Sequence, residues 1–391
     1  MKIALFANTE WYLFNFRRGL AQALREAGHD VLLLSPDGPY GERLRDLGFR
    51  WLPVPMNRRS LDPVRELRLL LWLVRLLRRE RLDLIHGFTI KCAAYGSLAG
   101  SLARIAGRVA SVAGLGHVFT SDQLRARLLR PIVRKVLRVS LGGRGVRLIL
   151  QNSDDVALFT EARLAEADSI RLIRGSGVDL SRFVPGDISH QHKSFRVLLP
   201  ARLLWAKGIG EFVEAGRRLR AEGAQVRLVL AGIPDDGNPA AVSEAEIRAW
   251  TDADLVEWLG HVDDMPALFR EVDAVALPSY YGEGTPKSLI EAAACALPLI
   301  TTDMPGCREV VTHEVDGLLI PPRDAEALAA AIARLAADPD LCRRLGTAAR
   351  EKALREFDER IVVEKTLAVY GELLGQGFVG VPRTGARVCP S

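Results

Sequence analysis

Residues 279–291 combine residue types that suit the binding of an anion. An apolar run precedes the segment and helix-forming residues follow it, which predicts a strand, a loop and the start of a helix. Pro286 suits the first helical position and Thr285 the cap, so the first free amides of the helix point at whatever lies beyond its end. Because Lys287 adds a positive charge, the pattern favours a negatively charged ligand.

Four charged residues could serve such a ligand. Glu283 and Glu291 have seven residues between them, which places one carboxylate in the loop and the other in the helix, where they can hold two parts of one ligand. Arg202 and Lys207 follow another predicted strand. They suit a diphosphate, because the guanidinium is a planar fork for phosphate oxygens and the ammonium a mobile charge.

Short apolar runs alternate with helical patterns along the chain, which predicts parallel βαβ units. The predicted strands of the first half are residues 3–6, 31–34, 83–86, 109–112, 148–150 and 170–173. Those of the second half are residues 196–199, 226–231, 256–259, 274–277, 299–301 and 318–320. Because ligands bind beyond the carboxyl ends of such strands, we expect the function to reside in a cleft between two domains.

Length and composition agree with this organisation. The chain has 391 residues with 48% hydrophobic content, as soluble proteins of two or three domains do. Five scattered cysteines without a Cys-x-x-Cys pair argue against a disulfide framework and a zinc site. The N-terminal apolar run is too short for a signal peptide, and no run reaches the ~20 apolar residues of a membrane span. We therefore expect a cytoplasmic protein.

Two enzyme classes are disfavoured by the motifs. No Gly-x-Gly-x-x-Gly fingerprint follows the first strand, and Gly114-Leu115-Gly116 lacks the third glycine, which argues against an NAD enzyme. Asp252-Ala253-Asp254 has a spacing that other transferases use for a divalent cation. It lies between a helix and a strand, so we interpret it as a solvated loop and predict no metal site.

The two glutamates with Gly284-Thr285-Pro286-Lys287 between them, together with Arg202 and Lys207, resemble the donor site of retaining glycosyltransferases of family four. The resemblance implies an α/β protein of the GT-B fold, in which two Rossmann-like domains with parallel sheets face each other across a cleft. It also implies a nucleotide-sugar co-substrate, here a UDP-sugar, with no metal and no other cofactor. Such enzymes retain the anomeric configuration by same-face attack.

Residue roles follow from the same resemblance. Glu291 would hold the ribose hydroxyls and Glu283 the transferred sugar, while the amides of residues 284, 285 and 287 close on sugar and phosphate. The candidate catalytic residues are Glu283, Arg202, Lys207 and His117. The candidate nucleotide-sugar-binding residues are Glu291, Gly284, Thr285, Pro286, Lys287, Gly232 and Val262, the last two from a strand end and a turn similar to the family's base-binding region.

The first βα loop, residues 8–16, departs from the family by placing Trp11, Tyr12 and Phe14 where many members have a glycine-rich turn. With residues 85–91 and 95–99, it resembles a subgroup that builds capsular polysaccharides and bacterial glycans on undecaprenyl-diphosphate carriers. The aromatics are either loop anchors or an apolar acceptor wall. His117 is either a ligand contact or a structural histidine.

Domain boundaries follow from a polar stretch at residues 184–193 and from Gly175-Ser176-Gly177-Val178-Asp179, which resembles the family's signature at the end of the first domain. We predict an acceptor-binding domain at 1–185 and a nucleotide-sugar-binding domain at 186–374, whose last helix crosses back to the first domain. A disordered tail is predicted at 375–391.

The charge divides unevenly between these domains. Residues 1–185 carry 30 Lys and Arg against 17 Asp and Glu, or +13, whereas the remainder carries 23 against 31, or −8, of a total of +5. The basic domain predicts a polyanionic partner. Nucleic acid suits the charge but not the donor site, so we favour an anionic membrane surface at the inner face of the cytoplasmic membrane.

Two basic, apolar helices are predicted in this domain, at residues 61–81 and 124–138. Pro131 is expected to kink or split the second. That helix pairs an apolar stripe with a basic one, formed by Leu124, Leu128, Ile132 and Val136 and by Arg127, Arg130, Arg134 and Arg138. The alternative is that both stripes are ordinary core faces with solvated arginines opposite them.

The sequence thus predicts a metal-independent, retaining glycosyltransferase that moves a hexose or N-acetylhexosamine from UDP to a lipid-linked saccharide. Two alternatives remain: a sugar-nucleotide epimerase on the same fold, and a non-catalytic nucleotide-sugar-binding subunit.

Overall fold

The computed structural model describes residues 1–58, 60, 62–113, 124–143, 145–186, 194–235 and 237–380, with the backbone alone at 124–130 and 132. The chain forms two compact units. The first comprises Met1–Ile173 and the segment from Arg360 onward, and the second comprises Arg174–Glu359. The first unit is therefore discontinuous in sequence.

A parallel sheet forms the centre of the first unit. Its strands are β1 Lys2–Phe6, β2 Asp30–Ser35, β3 Arg50–Pro53, β4 Leu84–Phe88, β5 Gly107–Val112, β6 Val146–Leu150 and β7 Ile170–Leu172. They lie in the order β3-β2-β1-β4-β5-β6-β7, so the order reverses between β1 and β4. Strands such as β2, whose sequence is DVLLLS, are apolar on both faces because helices cover both sides of the sheet.

Helices of the first unit follow the strands along the chain. They are α1 Glu10–Phe16, α2 Arg18–Glu26, α3 Tyr40–Asp46, α4 Pro63–Glu80, α5 Ile90–Ala103, α6 Leu124–Leu141 and α7 Ser153–Glu161. The start of α4 shows why these residues form a helix there. Asp62 accepts hydrogen bonds from the amides of Val64 and Arg65, and Pro63 occupies the first helical position.

The second unit has a parallel sheet of its own, in the order β10-β9-β8-β11-β12-β13. Its strands are β8 Phe195–Pro200, β9 Val226–Ala231, β10 Glu257–Trp258, β11 Ala274–Leu277, β12 Leu299–Thr302 and β13 Leu318–Ile320. Its helices are α8 Ile209–Ala221, α9 Glu244–Asp252, α10 Met265–Phe269, α11 Lys287–Ala294, α12 Cys307–Val310, α13 Ala325–Ala337 and α14 Pro339–Glu356. The order reverses between β8 and β11, which is where such sheets bind ligands.

The last helix, α15 Glu359–Leu374, contributes to the core of the first unit. Tyr370 is fully buried, and its hydroxyl lies 2.7 Å from Nδ1 of His86 on β4. The other ring nitrogen of His86 lies 2.6 Å from the Ser111 hydroxyl on β5. The helix is thereby tied to the middle of the sheet.

Each strand predicted from periodicity is present, and the two Rossmann-like α/β domains of the GT-B class are confirmed. The structure adds β3, an edge strand of four residues that ends at Pro53. It also shows α6 as one helix through Pro131, so a split at this residue is wrong, whereas the alternative of a kink stays a prediction. In α6 Leu137 is buried, whereas Val136, which was assigned to the apolar stripe, is exposed.

One predicted boundary differs from that of the structure. The boundary near residue 185 lies inside the second unit, because the chain already pairs there at Val178, which bridges to Asp358. The disorder of residues 375–391 stays a prediction, and the structure describes residues 375–380 of this tail in contact with His29. Phe378 stacks on His29 with ring centroids 4.9 Å apart, and the Val379 carbonyl lies 2.8 Å from Nε2 of His29. No helix in the described part of the chain is long and apolar enough to span a bilayer.

Candidate active site

The loop between β11 and α11 is held from several sides. Ser279 is fully buried, and its hydroxyl lies within hydrogen-bonding distance of the carbonyls of Ala206 and Tyr281 and 2.9 Å from Oε1 of Glu283. Its own carbonyl accepts a hydrogen bond from the Thr302 hydroxyl at the end of β12. Because strand ends fix both sides of the loop, the position of Glu283 is determined by the fold.

Lys207 and Glu283 form an ion pair. Only 17% of the lysine side chain and 14% of the glutamate side chain are exposed. Gly208 makes this approach possible, because a Cβ added there would lie 2.2 Å from the Pro278 carbonyl oxygen, and its φ of +77° favours glycine. The residue predicted to bind the transferred sugar, Glu283, therefore contacts Lys207, which is predicted to bind the diphosphate.

The start of α11 differs from the prediction by one residue. Pro286 is the N-cap, with extended backbone, and Lys287 is the first helical residue, so Thr285 is not the cap. Proline has no side-chain acceptor, and the cap residue makes no side-chain hydrogen bond. The N-terminus of the helix still follows the loop that carries Glu283, although the helix begins one residue later than expected.

A second ion pair lies one helical turn further on. Lys287 Nζ is 3.1 Å from Oε1 of Glu291, and both side chains are largely buried. The same nitrogen lies 3.5 Å from the Gly177 carbonyl. Residues 175–177 therefore run beside the loop between β11 and α11, since a Cβ added at Gly175 would lie 3.2 Å from Cβ of Thr285.

Arg202 is placed differently from the other candidate cation. Its side chain is 59% exposed, and Nη1 lies 3.1 Å from Oδ2 of Asp235, which also accepts a hydrogen bond from Asn238. Asp235 follows β9 and is largely buried. An exposed guanidinium held by one carboxylate is able to exchange that partner for a phosphate, because it has five donors.

Gly232 and Val262 lie at neighbouring strand ends of the same sheet. Gly232 approaches β8 so closely that an added Cβ would lie 1.9 Å from the Ala201 carbonyl oxygen. Its amide donates to the Gly260 carbonyl, and its carbonyl accepts from the Trp258 indole at 2.8 Å. Val262 is half-buried against the core of this face. These residues shape the backbone beside the loop.

Sequence reasoning included Ser279 in the segment without assigning it a role, and it missed Asp235 and Gly306 as parts of this site. Gly306 has a φ of +81°, and a Cβ added there would lie 1.6 Å from the carbonyl oxygen of Gly284 and 2.6 Å from that of Glu283. The Pro305-Gly306 pair is a turn signal, but nothing in the sequence indicates which segment the turn touches. Cys307 follows Gly306 and is buried. Burial, followed by the negative charge of Glu283, raises the pKa of its thiol to about 12.

The remaining candidates have different outcomes. His117 lies outside the described residues. In the first loop, Tyr12 stacks on Phe16 with ring centroids 4.9 Å apart, whereas Trp11 is exposed. Asp254 pairs with Arg227 at 2.6 Å on the surface. Within the described ranges, no group of three or more His, Cys, Asp or Glu side chains is placed to hold a metal ion.

Solved structures share this fold. Anabaena HepE in complex with UDP superposes with a TM-score of 0.76 at 22% identity, over 95% of this chain and 100% of that one. WaaG, a glycosyltransferase involved in lipopolysaccharide biosynthesis, superposes with a TM-score of 0.69 at 17% identity, over 96% and 99%. Two Rossmann-like units, each with a parallel sheet, define the GT-B fold class.

Family models identify both parts of the chain. Residues 183–352 match the glycosyl transferases group 1 model, and residues 2–153 match the glycosyl transferase 4-like model. The chain is thus a glycosyltransferase whose two units each contain one of these two domains.

Two curated relatives align over most of their length. The chain is 29% identical over 385 residues to the N,N'-diacetylbacillosaminyl-diphospho-undecaprenol alpha-1,3-N-acetylgalactosaminyltransferase of Campylobacter jejuni, covering 96% of this chain and 99% of the relative. It is 26% identical over 363 residues to the UDP-Gal:alpha-D-GlcNAc-diphosphoundecaprenol alpha-1,3-galactosyltransferase of Escherichia coli, covering 88% and 89%.

Proposed function

We propose that this glycosyltransferase moves a sugar from a UDP-sugar to a saccharide carried on undecaprenyl diphosphate. The observation that carries the proposal is a group of four charged residues around one loop, namely Lys207, Glu283, Lys287 and Glu291. The loop lies at the switch point of the second unit, which is the place where the strand order of its sheet reverses. The printed activities of the two relatives, both directed at diphospho-undecaprenol saccharides, support the acceptor class.

The group supplies the parts that such a transfer needs. Lys207 and Arg202 are cations for the diphosphate, and fixed positive charge stabilises the leaving group as its bond to the sugar breaks. Glu283 accepts hydrogen bonds from sugar hydroxyls and Glu291 from the ribose. Retention of configuration by same-face attack, and transfer without a metal, belong to the same proposal.

The first unit is proposed to rest on the inner, anionic surface of the cytoplasmic membrane. The exposed side of the first half of α4 supports this, because its apolar and cationic residues alternate along one stretch of helix. Val64, Leu67 and Leu71 are exposed there, and so are Arg65, Arg68 and Arg75. Such a surface combines apolar burial with attraction to anionic headgroups.

A binding panel followed by a transfer assay tests the proposal. UDP and UDP-sugars should raise the melting temperature more than GDP and GDP-sugars, since ligands stabilise the state they bind. The preferred UDP-sugar should then label a short-chain polyprenyl-diphosphate saccharide, with or without EDTA. Interconversion of UDP-sugars without an acceptor would establish an epimerase instead. Binding without turnover on any acceptor would indicate a non-catalytic subunit.

A further inference from the structure

Arg17, between α1 and α2, is a buried cation. Only 5% of its surface is exposed. Its Cζ lies 4.4 Å from the centre of the Phe88 ring and 5.5 Å from that of Tyr12, and Nη2 donates to the Tyr12 hydroxyl at 2.9 Å. The guanidinium therefore lies against aromatic faces at the carboxyl end of β4.

This charge has no acidic partner in the described part of the chain. No carboxylate there lies within ion-pair distance of Arg17, and its Nε is buried without a hydrogen-bond acceptor. A guanidinium cannot lose its proton in a protein, so burial does not neutralise it. Aromatic faces offset only part of the cost of desolvation. A bound anion would offset the remaining cost of burying this guanidinium.

The surroundings of Arg17 are those of a ligand site. Phe88 ends β4, which lies next to β1 at the point where the strand order of the first unit reverses. Thr89 follows with a φ of +69°, unusual for a residue other than glycine, and caps the fourteen-residue helix α5 without a side-chain hydrogen bond. The first-turn amides of α5 therefore leave positive potential next to the same strand end.

We propose that Arg17 binds a phosphate-type oxyanion at the switch point of the first unit. The planar fork of the guanidinium fits two oxygens of such a group. Two sources carry this chemistry: the diphosphate of a lipid carrier and the diphosphate of the nucleotide sugar. Only the identity of these sources rests on the proposed function.

Titration calorimetry on the full chain tests the site with farnesyl diphosphate, UDP and inorganic pyrophosphate. The variants are R17M and R17Q. R17Q keeps a planar polar group beside Tyr12 and serves as the second variant if R17M does not fold. Arg18 provides the matched control, since its Cζ lies 5.1 Å from the Phe14 ring. R18M loses the same charge and the same kind of aromatic contact.

Loss of a charged hydrogen-bonding group predicts a fall of about tenfold to a hundredfold in affinity for one of the two organic diphosphates in the Arg17 variants. R18M should stay within about twofold of the unmodified chain. A loss confined to farnesyl diphosphate assigns the site to the lipid carrier, and a loss confined to UDP assigns it to the donor. A folded R17M or R17Q that binds both as the unmodified chain does overturns the proposal.

Pyrophosphate binding distinguishes failure of the Arg17 proposal from failure of the proposed function. In an R202A/K207A background, where the donor cations are removed, residual pyrophosphate binding should disappear on further replacement of Arg17 with Gln. If UDP binding is unaffected by R202A/K207A, the proposed donor site is wrong while the Arg17 result still stands.

Discussion

Lys207 and Glu283, 76 positions apart in sequence, form an ion pair that Ser279 braces through a hydrogen bond of 2.9 Å to the same glutamate oxygen. The pair joins the loop after β8 to the loop after β11. Lys207, which is proposed to bind the diphosphate, and Glu283, which is proposed to bind the sugar, therefore hold each other in position.

This pairing predicts that the two residues are energetically coupled. K207M alone should lower kcat/KM by about 100-fold, because a single preorganised electrostatic donor has that effect in other active sites. E283Q should also lower it. In the double variant the loss should be smaller than the product of the two single losses, since each single change leaves a largely buried charge unpaired. Transfer kinetics on the four proteins measure this, and strictly multiplicative losses would contradict the coupling.

The two glutamates should differ in what they bind. Glu291 pairs with Lys287 on the helix, whereas Glu283 pairs with Lys207 in the loop. E291A should weaken the affinity for free UDP, because this residue is assigned to the ribose, while E283Q should mainly reduce the transfer rate. Calorimetry with UDP separates these effects. Equal loss of UDP affinity in both variants would show that the assignment is wrong.

Replacing Gly306 with alanine should displace the loop between β11 and α11. The added Cβ would meet the carbonyl oxygens of Gly284 and Glu283, and the φ of +81° disfavours any side chain. We expect transfer to fall by about tenfold or more while the fold is kept, because displacements of about 1 Å at a catalytic group cost that much. Gly282 is the control, since an added Cβ there meets nothing within 4 Å. Comparable losses in G306A and G282A would disprove this explanation.

One segment of the site could be predicted from the sequence, whereas the contacts between distant segments could not. The Glu283 to Glu291 segment is contiguous, so a strand end, a loop and a helix start predict it locally. The helix start is shifted because Pro286 takes an extended conformation as the cap. The contacts of Gly306 with Gly284 and of Arg17 with Phe88 join segments far apart in the chain. Periodicity and turn signals carry no information about such approaches.

His86 should make stability depend on pH. Burial and secondly the charge of Arg17 hold the pKa of this enclosed imidazole well below its usual range. Below the unfolded pKa of about 6.5 the unfolded chain takes up a proton that the folded chain does not, so stability falls as pH falls, by up to about 1.4 kcal/mol per pH unit until the folded pKa is reached.

Urea unfolding at about pH 7.5 and about pH 5.5 measures this dependence. H86Q should lose about 1.4 kcal/mol less than the unmodified chain between these two conditions. H261Q is the control, because His261 is exposed. The same pH dependence in H86Q as in the unmodified chain would refute the role of His86.

Membrane binding should depend on α4. In vesicle cosedimentation, the protein should bind anionic liposomes, and binding should fall as salt rises, since each cation near such a surface contributes about 1 kcal/mol. Changing Arg65, Arg68 and Arg75 to Glu should abolish it. The control reverses three exposed arginines of the second unit, namely Arg248, Arg343 and Arg355. Equal loss in both triple variants would indicate that only net charge matters.

The attachment of α15 to the first unit has a consequence for synthesis. His86 and Tyr370 are 284 positions apart, and their hydrogen bond lies inside one core. During translation the second unit, which is continuous in sequence, can fold as soon as it has emerged from the ribosome. The first unit, although made earlier, has to wait for the last helix before its buried imidazole is covered. Completion of the N-terminal core therefore depends on a segment that is synthesised after the whole second unit.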